Sequence, residues 1–263
     1  MSTFYALLLL VATAFMIGGV IRKVLQYQAT PAPLKIPVTP APKTTGGVIV
    51  RMAKEVILFA SLFRSNKWTW AFGYMFHAGL ALAFIRHLRY VIDPDGMFGF
   101  IWPLISLEIV QSFGKYAGLI MLAGLTGLFA RRIFVARVRY ISAPSDYLML
   151  LLIMFIATSG LLMSFIPFYY IDIVQLKSFA LGSLVLDFSK EMPDSIVLMI
   201  HLGLAALLGF VLPISKLLHI PGVFYAPTRN QVDNPREKRH ISEWAKKLDA
   251  TRADYPEFQD KAE

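Results

Sequence analysis

The chain has 263 residues, of which 56% are hydrophobic and only 16% are charged, and its formal net charge is +9. Soluble domains are usually about 45–50% apolar and about 25% charged, so this composition excludes an ordinary soluble domain and indicates a polytopic membrane protein. The basic residues lie in blocks between apolar runs, which is typical of membrane orientation rather than of nucleic-acid binding.

The chain contains no cysteine. Disulfides, cysteine-ligated iron–sulfur clusters and haem attached through a C-x-x-C-H motif are therefore excluded. Any redox centre must be held by histidine, methionine or oxygen ligands. Electrons could then leave only through a diffusible carrier or through a partner that carries its own cofactors.

Five apolar runs predict an all-α bundle of five membrane-spanning helices. The runs cover approximately residues 4–21, 68–92, 115–130, 147–170 and 195–220. Residues 1–220 would form the membrane domain, and residues 221–263 would form a polar cytoplasmic tail. No positive charge precedes the first run, so we expect a retained helix there rather than a cleaved signal peptide.

The connections between the runs differ in character. Residues 24–46 hold five prolines, at positions 31, 33, 37, 40 and 42, and predict an extended loop. Residues 47–67 mix apolar and basic side chains, which favours a short helix on the membrane surface over a plain loop. Residues 97–114 are expected to fold against the outer surface, and residues 171–194 to form an outer loop.

The distribution of lysine and arginine predicts the orientation of the chain in the membrane. Segments 22–67 and 131–145 hold twelve of these residues, whereas segments 92–115 and 169–195 hold three. The richer side is expected to be cytoplasmic. We therefore predict an N-terminus outside, a C-terminus in the cytoplasm, and a location in a bacterial or archaeal cytoplasmic membrane.

Four of the five histidines lie in two of the apolar runs. The second run carries His77 and His87, and the fifth carries His201 and His219. An ionisable side chain at membrane depth is costly and indicates a functional site. The remaining histidine, His240, lies in the polar tail and is interpreted as a solvated residue.

The two runs are antiparallel, so the histidines are predicted to pair by depth. A helix rises about 1.5 Å per residue, which separates His77 from His87 by roughly 15 Å and His201 from His219 by roughly 27 Å along the axes. His77 and His219 would lie near the inner surface, and His87 and His201 toward the outer surface. A kink at Pro213 and a position of His219 at its helix end could absorb the difference in rise.

Two imidazoles that face each other in a helical bundle can bind haem iron on both sides, and six-coordinate iron of this kind transfers electrons. Arg86 and Arg89 flank His87 and could bind the propionates of an outer haem, although both could instead extend to the outer interface. Small residues follow two ligands, at Gly79 and Gly203. Glycines at 118, 124 and 127 permit close approach of a helix or of a flat cofactor.

Two other classes of function remain open from these residues alone. A transporter or proton channel could use membrane histidines as a relay, although the chain shows no convincing internal repeat. A membrane anchor without a cofactor would leave four histidines in two helices unexplained. A single intramembrane histidine would favour an interhelical hydrogen bond, whereas two pairs at matched depths favour haem.

The topology and the histidine segments GYMFHAG, FIRHLRYV, LMIHLGLA and KLLHIPG resemble the cytochrome b family of the respiratory nitrate reductase gamma subunit. Membrane heterodisulfide reductases and the DsrM subunit of the dissimilatory sulfite reductase-linked complex belong to the same group. The likeness covers about residues 1–222. It implies axial ligation of two b-type haems by His77 with His219 and by His87 with His201.

The resemblance also implies electron exchange between membrane quinone, either menaquinone or ubiquinone, and a cytoplasmic iron–sulfur subunit. The proline-rich loop and charged tail look more like the DsrM-type branch, in a sulfur-metabolism complex of the DsrMKJOP kind with further membrane and periplasmic subunits. A nitrate reductase gamma subunit is the alternative. No residue is assigned a catalytic role or a quinone contact.

The tail has one candidate element. Residues 240–250 predict a short helix with Ile241, Trp244 and Leu248 on one face, which would dock on a partner or on the membrane. The alternative is a frayed, solvated tail.

Overall fold

The computed structural model describes residues 1–30, 36–234 and 243–253, and every regular element in those ranges is helical. The α-helices are α1 (Ser2–Ala29), α2 (Thr45–Leu58), α3 (Ala60–Ser65), α4 (Lys67–His87), α5 (Trp102–Ile105), α6 (Glu108–Phe134), α7 (Ala136–Ile141), α8 (Pro144–Phe165), α9 (Ile173–Leu184), α10 (Ile196–Val211), α11 (Ile220–Phe224), α12 (Pro227–Asn230) and α13 (Glu243–Ala253). Short 3₁₀ turns lie at Leu88–Tyr90, Gly99–Ile101, Pro167–Tyr169 and Leu212–Ile214.

Within the described ranges, five helices are long and apolar enough to cross a membrane: α1, α4 with its following 3₁₀ turn, α6, α8, and α10 with its following 3₁₀ turn. The all-α class is therefore confirmed in these ranges, and the five candidate spans match the number predicted from the sequence. The chain separates into two compact units. The membrane unit comprises Met1–Lys23 and Leu58–His219, and the loop–tail unit comprises the described parts of Val24–Ile57 and Ile220–Glu263.

Proline and capping residues determine where the spans end. Asn66 begins α4, because its side chain accepts a hydrogen bond from the Thr69 amide at 2.8 Å. The α8 helix ends at Phe165 rather than near Tyr170, since the residue before Pro167 is disfavoured in helical geometry. The fifth span leaves regular α-helix at Val211 rather than near Ile220, because Pro213 has no N–H for a helical hydrogen bond.

Two helices begin or end further out than the apolar runs predict. The first continues to Ala29, past the basic pair at Arg22 and Lys23, and stops shortly before the first proline of the loop. The third begins at Glu108 rather than near Lys115, within the stretch expected to lie on the outer surface. Charged residues near a span end therefore mark the edge of the apolar run and not the end of the helix.

The α4 and α6 helices pack closely because glycines lie at their contact. A side-chain carbon added at Gly79 would lie 2.8 Å from the Ala117 carbonyl oxygen, and one added at Gly124 would lie 2.7 Å from that of Phe72. Gly118 instead faces the side chain of Leu161 on α8. Of the two alternatives for these glycines, close approach of a neighbouring helix is the one that the packing supports.

Two buried apolar clusters form the core of the membrane unit. The first comprises Ala6, Leu176, Phe179, Met192 and Leu198, and the second comprises Phe76, Met121, Leu125, Ile153 and Ala157. The first cluster requires α9, which lies in the segment predicted as an outer loop. This helix is short, and Asp172 caps it by accepting hydrogen bonds from two amides of its first turn.

The loop–tail unit joins the proline-rich segment to the beginning of the tail. Glu55 forms an ion pair with Arg229 at 3.1 Å, and the amide of Val38 donates to the carbonyl of Thr228 at 3.0 Å. The helices α2 and α3 occupy most of segment 47–67, which confirms a helical rather than plain loop conformation there.

The α13 helix covers much of the predicted tail helix. His240 and Ile241, and the side chain of Trp244, lie outside the described part of the chain. Leu248, the third residue of the predicted face, is 59% exposed.

Candidate functional site

The structure brings the four membrane histidines together as two pairs. His77 lies within α4 and faces His219, with ring centroids 5.8 Å apart. His87 is the last residue of α4 and faces His201 on α10, with ring centroids 6.3 Å apart. These are the pairs that the antiparallel arrangement of the two spans predicts.

The spacing of both pairs suits a single metal ion between the rings. A bond from a metal ion to an imidazole nitrogen is about 2 Å long, so two rings on opposite sides of one ion have centroids roughly 6 Å apart. The rings of His77 and His219 are nearly perpendicular, with an interplanar angle of 88°. Those of His87 and His201 are nearly parallel, at 17°. Within the described residues, the donor set therefore fits bis-histidine ligation at two depths.

Hydrogen bonds at Nδ1 orient the rings on α4. Nδ1 of His77 lies 2.7 Å from the Gly73 carbonyl oxygen, and Nδ1 of His87 lies 2.6 Å from that of Ala83. A carbonyl oxygen can only accept, so each Nδ1 carries the hydrogen and each Nε2 keeps its lone pair. Metal-ligating histidines commonly have this arrangement, which fixes the tautomer and the ring orientation.

Ser159 on α8 orients the ring of His201 in the same way, through a hydrogen bond at Nδ1. Its Oγ lies 2.9 Å from Nδ1 of His201, and also 2.9 Å from the Phe155 carbonyl oxygen. Ser159 donates its single hydroxyl hydrogen to the backbone carbonyl. Its oxygen therefore accepts from Nδ1–H of His201, and Nε2 of that ring stays free. A serine in an apolar span is a signal for an interhelical hydrogen bond, but the sequence reasoning overlooked it.

Neither of the two glycines that follow predicted ligands in the sequence, Gly79 and Gly203, lies beside a histidine ring. Gly79 packs against α6, and a side-chain carbon at Gly203 would meet no atom within 4 Å. Gly160 on α8 is the neighbour of the His201 ring, since a carbon added there would lie 3.4 Å from Cε1.

The two arginines that flank His87 differ in their surroundings. Arg89 donates to the Gln111 side chain at 2.8 Å and to the Tyr90 hydroxyl at 2.6 Å. Arg86 lies against α6 at Gly114, where a side-chain carbon would come within 2.7 Å of its Cδ. The Nε atoms of both arginines are buried without a hydrogen-bond partner among the described residues. The terminal nitrogens of Arg89 are already bonded to Gln111 and Tyr90, so Arg86 is the better candidate to bind an anion.

His219 lies on a turn and not on the fifth span. Residues 215–219 follow the 3₁₀ turn that contains Pro213. Lys216 in this turn forms an ion pair with the buried Asp146 at the start of α8, at 3.0 Å, and Leu217 packs against the second apolar cluster. Sequence reasoning missed Asp146, although an acidic residue in the first helical turn after Pro144 is a signal for the start of a helix.

A cavity of about 490 Å³ lies beside the residues that follow α4. Its apolar lining includes Ile92, Phe98 and Leu181, and its polar lining includes Asp93, Ser178 and the ion-paired residues Asp187 and Lys190. Ligand sites commonly have volumes of about 300–1,000 Å³ with mainly apolar walls and a few polar groups.

The model of a family described as the nitrate reductase gamma subunit matches residues 46–237 of the chain. That segment holds all four paired histidines. The chain belongs to the nitrate reductase gamma subunit family.

Similar proteins within this group fall into two kinds. An "Hdr-like menaquinol oxidoreductase cytochrome b-like subunit" of Archaeoglobus fulgidus is 30% identical, over 89% of this chain and 81% of its own length. The protein of the same name from Archaeoglobus profundus is 32% identical, over 92% and 82%. The nitrate reductase gamma chain of Bacillus subtilis is 33% identical, but over 35% of this chain and 42% of its own length.

Membership of the nitrate reductase gamma subunit family supports a role as a redox subunit in the membrane. The names of the relatives agree with a cytochrome b-like, quinone-reactive protein. They favour this class over the histidine-containing transporter that the sequence alone leaves open.

Proposed function

We propose that the chain is a di-haem b subunit that transfers electrons between membrane menaquinone and a cytoplasmic iron–sulfur partner. The observation that carries this proposal is the presence of two facing histidine pairs, with ring centroids 5.8 and 6.3 Å apart. His77 and His219 would hold one haem, and His87 and His201 the other. A haem bound in this way supplies one-electron transfer, because its iron has no free position for a substrate.

The residues around the pairs have supporting roles. The carbonyls of Gly73 and Ala83 and the hydroxyl of Ser159 hold three of the rings with Nε2 available. Arg86 would bind a propionate of the His87–His201 haem, and Arg89 would contribute its charge while it remains bonded to Gln111. His77 and His87 lie ten residues apart on one continuous helix, so the two haems would be roughly 15 Å apart along its axis, close enough for electron transfer between them.

The quinone and the partner are inferred from separate observations. Relatives that match most of the chain are named as menaquinol oxidoreductase subunits. The cavity that begins at Val91, four residues after His87 in the chain, is a candidate position for the quinone. The absence of cysteine means that the chain itself cannot carry a cysteine-ligated cluster.

The orientation and the complex complete the proposal. The basic loops favour a cytoplasmic position for the His77–His219 haem and an outer position for the other. The much longer matches to the Hdr-like subunits favour a heterodisulfide reductase-like or DsrMKJOP-like complex, with further membrane and periplasmic subunits, over a nitrate reductase.

Purification of the complex from membranes tests the proposal. We expect two b-type haems per chain, seen as reduced-minus-oxidised absorption bands, and reduction of both haems by a menaquinol analogue before any terminal acceptor is added. Replacement of the fifth histidine, His240→Ala, is the matched control and should retain both haems. A purified complex in which this chain carries no haem would contradict the proposal.

A further inference from the structure

His219 has little backbone support for its position. The last α-helical residue before it is Val211, and the following 3₁₀ turn ends at Ile214. Within the turn, the amide of His219 donates to the Leu217 carbonyl at 2.9 Å, and that of Leu218 donates to Ser215 at 3.3 Å. These short-range bonds shape the turn but do not attach it to the bundle, so side chains must do so.

Two adjacent side chains attach the turn to different helices. Nζ of Lys216 lies 3.0 Å from Oδ1 and 3.1 Å from Oδ2 of Asp146, on α8. Leu217 packs against the second apolar cluster, which includes Phe76, the residue before His77. The turn is thus fixed to α8 by charge and to the neighbourhood of its partner histidine by packing.

Asp146 is itself held firmly. Its side chain is 7% exposed, accepts a hydrogen bond from the Ala143 amide at 3.0 Å, and lies 3.5 Å from the guanidinium of Arg132. Arg132 donates in turn to Ser142 at 2.8 Å. Burial of a carboxylate is costly unless it is paired and hydrogen-bonded, and here contacts from α6, α8 and the turn satisfy it.

Lys216 contrasts with its partner, because its side chain is 74% exposed. Ion pairs with a solvent-exposed member contribute little to folding stability. The pair can nevertheless determine where the turn sits, since Asp146 is a fixed point on α8. We infer that Asp146 acts through Lys216 to position His219 as the second axial ligand opposite His77. Both are positioning residues, and the inference rests on the proposed di-haem function.

The test compares Lys216→Met with Lys216→Arg and Lys67→Met in the purified complex. Lys67→Met removes an exposed lysine at the start of α4, outside the turn, whose Nζ lies 5.9 Å from the Phe63 ring centroid. Loss of partners outside the ligand shell typically weakens metal binding about 10–100-fold, so we expect Lys216→Met to lose one haem to excess apomyoglobin about tenfold faster. The haem lost should be the one absent from His219→Ala, as identified by redox titration. Lys216→Arg should retain both haems, and Lys67→Met should change neither haem.

Two results would overturn the inference while two haems remain in the unmodified protein. Unchanged retention of both haems in Lys216→Met would show that the ion pair does not position His219. Equal acceleration of loss from both haems, with lower thermal stability, would show that the pair only stabilises the fold. An unmodified complex without b-type haem would instead contradict the proposed function itself, and with it the inference.

Discussion

The two histidine pairs solve the same geometric problem by different means. Both members of the His87–His201 pair are on helices, and contacts from Ala83 and Ser159 orient their rings. The His77–His219 pair has one member on a helix and one on a turn, which the Asp146–Lys216 contact attaches to the bundle. Helix packing therefore determines the first pair, whereas the second depends on a few side chains near the end of the membrane unit.

The largest expected effect is loss of a whole haem when one histidine of a pair is replaced. We expect His87→Ala and His201→Ala each to remove one and the same haem, because each leaves its iron with a single ligand. The complementary pair, His77→Ala and His219→Ala, should remove the other haem. Haem content and redox titration of the four variants measure this. If the two members of a pair removed different haems, the pairing itself would be wrong.

A charge change should sharpen the comparison at the His87–His201 end. Replacement of Arg86 by Gln removes a positive charge that would stabilise the reduced form of the proposed haem, so we expect the midpoint potential of this haem to fall. Arg89→Gln should lower it less, since the guanidinium of Arg89 is bonded to Gln111 and Tyr90. The potential of the His77–His219 haem should stay the same in both variants.

Redox titration in the presence of mediators measures both potentials. The interpretation fails if Arg89→Gln has the larger effect, because the anion would then bind at Arg89 despite its existing partners.

The smallest effect is expected from a hydroxyl group. The Ser159 oxygen accepts from Nδ1–H of His201 and would thereby make the ring a more basic ligand of the proposed haem iron. Ser159→Ala should raise the midpoint potential of the His87–His201 haem slightly, since a less basic ligand stabilises oxidised iron less. Thr158→Ala is the matched control, because its hydroxyl bonds to the Met154 carbonyl on the same helix. A shift of equal size in the control would assign the effect to the helix and not to the ring.

Most of the fold could be predicted from the sequence, because apolar length alone defines a membrane span. Which histidines face each other could also be predicted, since this depends on the antiparallel order of the two spans and not on where the fifth helix ends. The position of His219 could not, because Pro213 leaves regular helix at Val211 and the course of the following turn depends on tertiary contacts. The roles of Asp146 and Ser159 could not be predicted for the same reason, because their partners lie on other segments of the chain.

The α9 helix escaped prediction for a different reason. Its twelve residues are too few to span a membrane, so the search for long apolar runs did not find it. The periodicity of so short a segment does not distinguish a helix from a loop. Its buried residues Leu176 and Phe179 gain their role from contacts with Ala6 and Leu198, which are remote in sequence.

The different tilts of the two ring pairs have a magnetic consequence. If bound to one iron, the nearly parallel imidazole planes of His87 and His201 would interact with the same d orbital and would split the pair of orbitals that hold the unpaired electron of low-spin ferric iron. The nearly perpendicular planes of His77 and His219 would interact with both orbitals alike and leave them close in energy. With these angles retained around iron, electron paramagnetic resonance would give the first haem a rhombic spectrum and the second a strongly anisotropic one. One spectrum of the oxidised protein would then distinguish the two haems.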